Sequence, residues 1–112
     1  MDENSALFAY GSLVDGPLRE RVIGRPLEGI AARLPGYERR RGRYFYVVAR
    51  EGGQTEGLLL TGLSARDFEV LDQYEDVPTL YRRERVEVIG VDGRPVRCWI
   101  YMPTSRLTGG SA

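Results

Sequence analysis

Asp92-Gly93 lies between two runs, residues 81–91 and 95–102, in which apolar and polar side chains alternate. An Asp-Gly pair supplies the backbone of a tight hairpin turn, so the pattern predicts two antiparallel strands joined there. A lone hairpin is barely stable in water and needs further strands or a helix against its apolar face. The rest of the chain offers both. Ala6-Leu7-Phe8-Ala9-Tyr10 reads as a buried strand stopped by Gly11. Residues 27–34 read as a strand broken by Pro35-Gly36, and residues 43–50 as a strand rich in Tyr, Phe and Val. Gly52-Gly53 is expected to turn the chain into another strand, residues 55–63, where Gly57 marks a bulge or a close approach.

Pro17 suits the first turn of a short helix that runs through Val22 and Ile23 to Gly24. Ser64 and Asp67 form a capping pattern for a second helix, whose apolar side carries Phe68, Leu71 and then Tyr74 or Glu75. Pro78 ends it. These elements predict an α+β chain: about six strands in a mostly antiparallel or mixed sheet, short and twisted enough to curl into a small β-barrel, with one or two flanking helices. One domain over residues 1–107 is expected, with residues 108–112 as a flexible tail.

Composition narrows the chemistry. The chain has 112 residues, no histidine and one cysteine, Cys98; its 16 basic residues are all arginine, against 16 acidic ones. Ser-His-Asp and Cys-His relays, a Schiff-base lysine, an internal disulfide and a His/Cys zinc site are therefore excluded. Proton transfer falls to carboxylates, tyrosines or the lone thiol. Cys98 sits mid-strand with no histidine to activate it and reads as a small core residue. The balanced charge argues against a dedicated polyanion binder. The acidic start, Met1-Asp2-Glu3-Asn4, lacks the basic region of a signal peptide, and no apolar run approaches the length of a membrane span. A soluble cytoplasmic protein is the expectation.

Three segments could carry function. Tyr10-Gly11-Ser12-Leu13 places amides at a turn beside a helix start, a receptor for a carboxylate or an oxyanion; equally, Ser12 could simply bond its own backbone. Asp72, Glu75 and Asp76 lie at the negative end of the second helix, where an ionised acid is disfavoured and its basicity raised. Asp72 and Asp76 read better as surface acids paired with Arg82 or Arg83, whereas Glu75, one turn beyond Leu71, can face inward. Arg39, Arg40, Arg41 and Arg43, interleaved with Tyr37 and Tyr44, read as a solvated loop or as a weak single-strand nucleic-acid site.

The order of these motifs resembles the γ-glutamylcyclotransferase-like superfamily, in particular its AIG2-like and γ-glutamylamine-cyclotransferase branch. The residues that carry the likeness are Phe8-Ala9-Tyr10-Gly11-Ser12-Leu13, Leu34-Pro35-Gly36-Tyr37, Glu56-Gly57-Leu58-Leu59, Leu71-Asp72-Gln73-Tyr74-Glu75, Tyr81-Arg82-Arg83 and Trp99-Ile100-Tyr101. The resemblance implies a small barrel with a cavity at one end, in which Tyr10, Gly11, Ser12 and Leu13 hold a γ-glutamyl group. It places the family's catalytic glutamate on Glu75 and implies a pocket role for Tyr81. The implied reaction is attack of a substrate's α-amine on its own γ-carbonyl, releasing 5-oxoproline and an amine, with no metal or cofactor. A binding protein of the same fold without turnover is the alternative. The expected partner is a small γ-glutamyl compound, not a membrane, and strand edges in an unclosed barrel would be a route to homodimers.

Overall fold

The computed structural model describes residues 3–109. Its strands are β1 (Leu7–Ala9), β2 (Gly29–Arg41), β3 (Phe45–Leu60), β4 (Tyr81–Gly90) and β5 (Pro95–Pro103). Helix α1 (Gly16–Ile23) follows β1, α2 (Ala65–Tyr74) follows β3, and a single turn, α3 (Ser105–Thr108), follows β5. The five strands close into a barrel in the order β1-β3-β2-β4-β5. Every pairing is antiparallel except the one that shuts the seam, where β1 runs parallel to β5 with Leu7 opposite Trp99. Closure removes the open barrel edges on which a dimer route was expected to rest.

The strand count is five rather than six. Gly52-Gly53 does not end a strand; it kinks one, with Gly52 in the left-handed region at φ 76°. The opposite interruption, Pro35-Gly36, lies across the same ladder: Pro35 pairs with Gln54 and Tyr37 with Ala49, and the register shifts between them. Two sets of breakers thus face each other as one bulge, and a single long ribbon of β2 and β3 passes through it. Its far half, residues 37–41 against 45–49, is where a solvated loop was expected. Arg39, Arg40 and Arg41 stand on a strand, and only residues 42–44 form the hairpin tip.

All three residues of β1 are buried because both of its faces are covered. Phe8 points into the barrel with Leu34, Leu59, Val88, Cys98 and Ile100. Leu7 and Ala9 point outward into a second cluster with Leu60, Phe68, Leu71 and Tyr101, where α2 lies on the wall. This is the period-two alternation of a strand with a core on each side. Gly57 of β3 makes the close approach anticipated for it: a Cβ there would stand 2.4 Å from the Ala9 carbonyl oxygen and 2.6 Å from the Phe8 ring.

Helix α2 has the expected capping box. Ser64 Oγ accepts from the Asp67 amide at 3.1 Å, and Asp67 accepts from the Ser64 amide at 2.8 Å. Asp67 also takes both arms of Arg25 at 2.7 Å, which ties the end of α1 to the start of α2. Asp15 and Gly24 cap α1 as Pro17 foretold. Of the tail, Thr108 closes α3 and Gly109 caps it; residues 110–112 lie outside the described residues. No described helix is long and apolar enough to cross a membrane.

Candidate functional site

β1 delivers the chain to the open end of the barrel at Tyr10, and the turn that follows is a 3₁₀ segment, Ser12–Val14. The first amides of such a turn have no carbonyl within it to bond. They border a cavity of about 410 Å³, well inside the range of roughly 300–1,000 Å³ typical of small-molecule sites. Tyr10, Gly11, Ser12 and Leu13 line one side of it; Tyr74, Glu75 and Asp76 enter from the end of α2, and Tyr81 from the start of β4. The tip of the β2–β3 ribbon completes the wall with Arg41, Arg43, Tyr44 and Phe45. All six residues that the sequence assigned to a site therefore border one hollow.

Glu75 owes its position to Leu71. That residue is fully buried, and the residue one helical turn later lies on the same face. The helix stops at this point: the Glu75 amide donates to the Leu71 carbonyl at 2.9 Å, and Asp76 turns the chain away with φ 55°. Among the described residues the Glu75 carboxylate has neither a hydrogen-bond donor nor a cationic partner. Burial pushes its pKa up to about 7. Loss of hydration in the cavity is the cause.

The other acids of the cluster are engaged or exposed. Asp72 pairs with Arg83 at 3.1 Å, as expected, and also accepts from the Tyr101 hydroxyl at 2.7 Å. Asp76 is exposed at the cavity rim.

Three phenols near Glu75 already donate their hydroxyl protons to hydrogen bonds. Tyr10 donates to the Tyr101 carbonyl and Tyr81 to the Phe45 carbonyl, each at 2.5 Å. Burial, assisted by the Glu75 charge, holds both hydroxyls far above the usual tyrosine range. Tyr101 is raised by burial and by its bond to Asp72. These groups hold the walls in place. The Tyr81 bond also pins the ribbon tip over the cavity, and Arg39 adds a second tie by donating to the Tyr10 carbonyl at 3.0 Å. Cys98 is fully buried in the barrel interior, its thiol pushed up to about 12 by burial.

Ser12 does not bond its own backbone. Its hydroxyl lies 2.7 Å from that of Tyr74, joining the turn after β1 to the end of α2. Gly11 packs against the ribbon tip, where an added Cβ would touch that of Phe45 at 3.4 Å. Leu13 buries its side chain in the outer cluster, so it offers the cavity backbone only. The residues that sequence reasoning missed are those of the ribbon tip and Tyr101. The one available signal was the Arg-Tyr-Phe composition of residues 39–45, which says nothing of the wall it would join. Among the described residues, no cluster of three or more His, Cys, Asp or Glu side chains could hold a metal ion.

Similar proteins share this architecture. A gamma-glutamylcyclotransferase and putative RNase, MJ0434 of Methanocaldococcus jannaschii, is 29% identical over 99 residues, which make up 86% of this chain and 45% of that protein. AIG2-like protein C of Arabidopsis thaliana is 34% identical over 89 residues, 77% of this chain and 51% of that protein. The chain thus spans about half the length of these curated relatives. The solution structure of At5g39720.1 from Arabidopsis thaliana superimposes with a TM-score of 0.81 at 28% identity, covering 94% of this chain and 72% of that one. A solved gamma-glutamyl cyclotransferase shares the fold, with a TM-score of 0.79 at 18% identity over 89% of this chain and 66% of its own. Residues 7–111 match the family described as gamma-glutamyl cyclotransferase, AIG2-like, and the chain belongs to that family.

Proposed function

We propose that this chain is a cyclotransferase that converts a γ-glutamyl amide into 5-oxoproline and a free amine. The observation that carries the reading is Glu75: a half-buried acid with no described partner, poised to titrate near neutrality, in the same cavity as the amides that follow β1. An unperturbed glutamate, with a pKa of about 4.3, would be a poor base at pH 7.

The nucleophile and the electrophile belong to one substrate. Holding the glutamyl chain curled brings its α-amine onto its γ-carbonyl and closes a five-membered ring without any protein nucleophile. The α-ammonium loses two protons on becoming a lactam nitrogen, and the departing amide nitrogen gains two on leaving as an ammonium. Glu75 carries them across, as base when the C–N bond of the ring forms and as acid when the old C–N bond breaks. The γ-oxygen bears negative charge in between, and the amides of Gly11, Ser12 and Leu13 supply donors for it or for the α-carboxylate. Tyr10 and Tyr81 brace the ribbon and the floor. The proposal includes a cytoplasmic setting, in which a lone cysteine such as Cys98 stays a thiol.

A panel of γ-glutamyl amides assayed for 5-oxoproline tests the reading. Glu75→Gln should lower kcat by 10²-fold or more on whichever substrate turns over best, in keeping with the roughly 10²–10⁴ that acid–base groups contribute. A loss below about tenfold would remove Glu75 from the chemistry. No 5-oxoproline from any substrate, with binding retained, would favour a ligand-binding protein of the same fold.

A further inference from the structure

Among the described residues one arginine is buried. Arg19, on α1, is 8% exposed, and no described acid neutralises it. A guanidinium taken out of water without a counter-ion is costly unless hydrogen bonds engage its donors. Three carbonyls do so here. Nε donates to Leu27 at 2.9 Å, and Nη1 donates to Leu13 at 3.0 Å and to Val14 at 3.2 Å. Leu13 and Val14 belong to the turn after β1, so Arg19 grips that turn from the side away from the cavity. The bonds continue through the turn. The Leu13 carbonyl shares a peptide plane with the Val14 amide, which donates to the Gly11 carbonyl at 3.0 Å; that carbonyl shares its plane with the Ser12 amide. In the same way the Val14 carbonyl is joined to the Asp15 amide, which donates to the Ser12 carbonyl at 3.1 Å, and that carbonyl to the Leu13 amide. Two chains of peptide dipoles thus start at one guanidinium. They end on the amides of Ser12 and Leu13, residues that line the hollow.

We infer that Arg19 is a positioning residue: from behind the turn after β1 it fixes the peptide planes of Ser12 and Leu13 and strengthens their N–H groups as donors to negative charge in the cavity. The inference rests on the cyclotransferase reading above, which says what that charge is: the γ-oxygen during ring closure. Arg19 itself never touches the substrate. A carbonyl that accepts from a cation draws electron density along its amide, and the attached N–H becomes a better donor. The next peptide repeats the step, each link strengthening the bond that follows by roughly 10–30%. A charged donor at the head starts each chain with a bond about twice as strong as a neutral one. Direction matters as much as strength. Donors to an oxyanion act best when they are aimed before the charge appears. A side chain anchored on a helix keeps a three-residue turn from swivelling. The charge develops only in the transition state, so loss of Arg19 acts mainly on kcat.

Three variants test it. Arg19→Gln removes the charge, Arg19→Lys keeps it, and Arg25→Gln, which breaks the Asp67 pair just beyond α1, controls for lost stability. On the γ-glutamyl amide that turns over best, Arg19→Gln should lower kcat by about tenfold or more, short of the roughly 10²–10³ lost with an oxyanion donor itself, and hold KM within about threefold. Arg19→Lys should recover kcat to within about threefold of wild type, and Arg25→Gln should leave it unchanged. In nitrogen-15 NMR spectra the Ser12 and Leu13 amide protons should move upfield in Arg19→Gln and keep their places in Arg25→Gln. A wild-type kcat in Arg19→Gln overturns the inference, as does a loss confined to KM. Equal losses in the Gln and Lys variants, or in Arg19→Gln and Arg25→Gln, reduce Arg19 to packing and overturn it too. If no γ-glutamyl amide yields 5-oxoproline, it is the reaction that has failed, and the spectra still judge Arg19: unmoved Ser12 and Leu13 signals overturn its role. Should Arg19→Gln fail to fold, the wild-type protein decides. Arg19 Nη protons held on two carbonyls give resolved signals that exchange slowly with water, whereas averaged, fast-exchanging ones overturn the inference.

Discussion

In the role proposed for it, Glu75 sets chemistry and stability against each other. Its folded pKa, about 7, lies above its ordinary value near 4.3. A raised folded pKa means the folded state binds the proton more tightly, so the favourable contribution is complete below about pH 4.3 and is lost as pH rises through 7. Glu75→Gln keeps the shape and removes the charge. It is therefore expected to match wild type in urea-unfolding stability at pH 4 and to exceed it at pH 8, by up to about 3 kcal/mol. A carbon-13 NMR titration of the Glu75 carboxyl should show a midpoint near 7; a midpoint near 4.3 would place the group in water and end its candidacy as base. Gain in stability with loss of turnover is the signature of a strained functional group. A surface acid would show neither.

At the scale of elements, what the sequence disclosed was local. Ser64 and Asp67 announced the start of α2 because both sides of a capping box lie within one turn. Pro17 with Gly24 bracketed α1, and Asp92-Gly93 marked the β4–β5 turn, for the same reason. The ribbon of β2 and β3 was misread because its breakers cancel: Pro35-Gly36 and Gly52-Gly53 end strands when taken singly, yet across a ladder they make one bulge. The site divides in the same way. Tyr10, Gly11, Ser12, Leu13 and Glu75 stand at ends of elements and could be picked out by position. Arg41 and Arg43 could not, since they join the cavity only when a distant ribbon folds over it.

The capping box permits a test at this scale. Ser64→Ala should cost about 1 kcal/mol in urea unfolding, the usual worth of an N-cap. Arg25 and the Ser64 amide and hydroxyl hold the Asp67 carboxyl well below the usual carboxylate range. Its stabilising contribution is therefore complete above about pH 3.9 and drains away as pH falls through the lower folded value. Asp67→Asn should flatten the acid limb of the stability curve; an unchanged limb would mean the Arg25 pair contributes nothing.

For the whole molecule, the closing strand is the point of weakness. β1 is three residues long, yet it joins β3 to β5 and carries the site turn directly behind it. Gly57→Ala would drive a methyl group into the Ala9 carbonyl and the Phe8 ring. Overpacking of this kind costs about 1–3 kcal/mol. Because β1 must shift to relieve it, turnover should fall with stability. Full activity with an unchanged midpoint would show that the barrel yields there. By contrast Ala49→Gly, on an exposed part of β3 well away from β1 and the cavity lining, should lower stability modestly without touching kcat.

The parallel seam between Leu7 and Trp99 has a bearing on how the protein comes into being. Those two residues stand on the first and last strands of the barrel, so β1 waits during synthesis, unpaired along one flank, for β5. Contacts this remote in sequence form slowly. Until they form the barrel stays open along one flank of β1, and a nascent chain halted before β5 lacks the strand that shuts it.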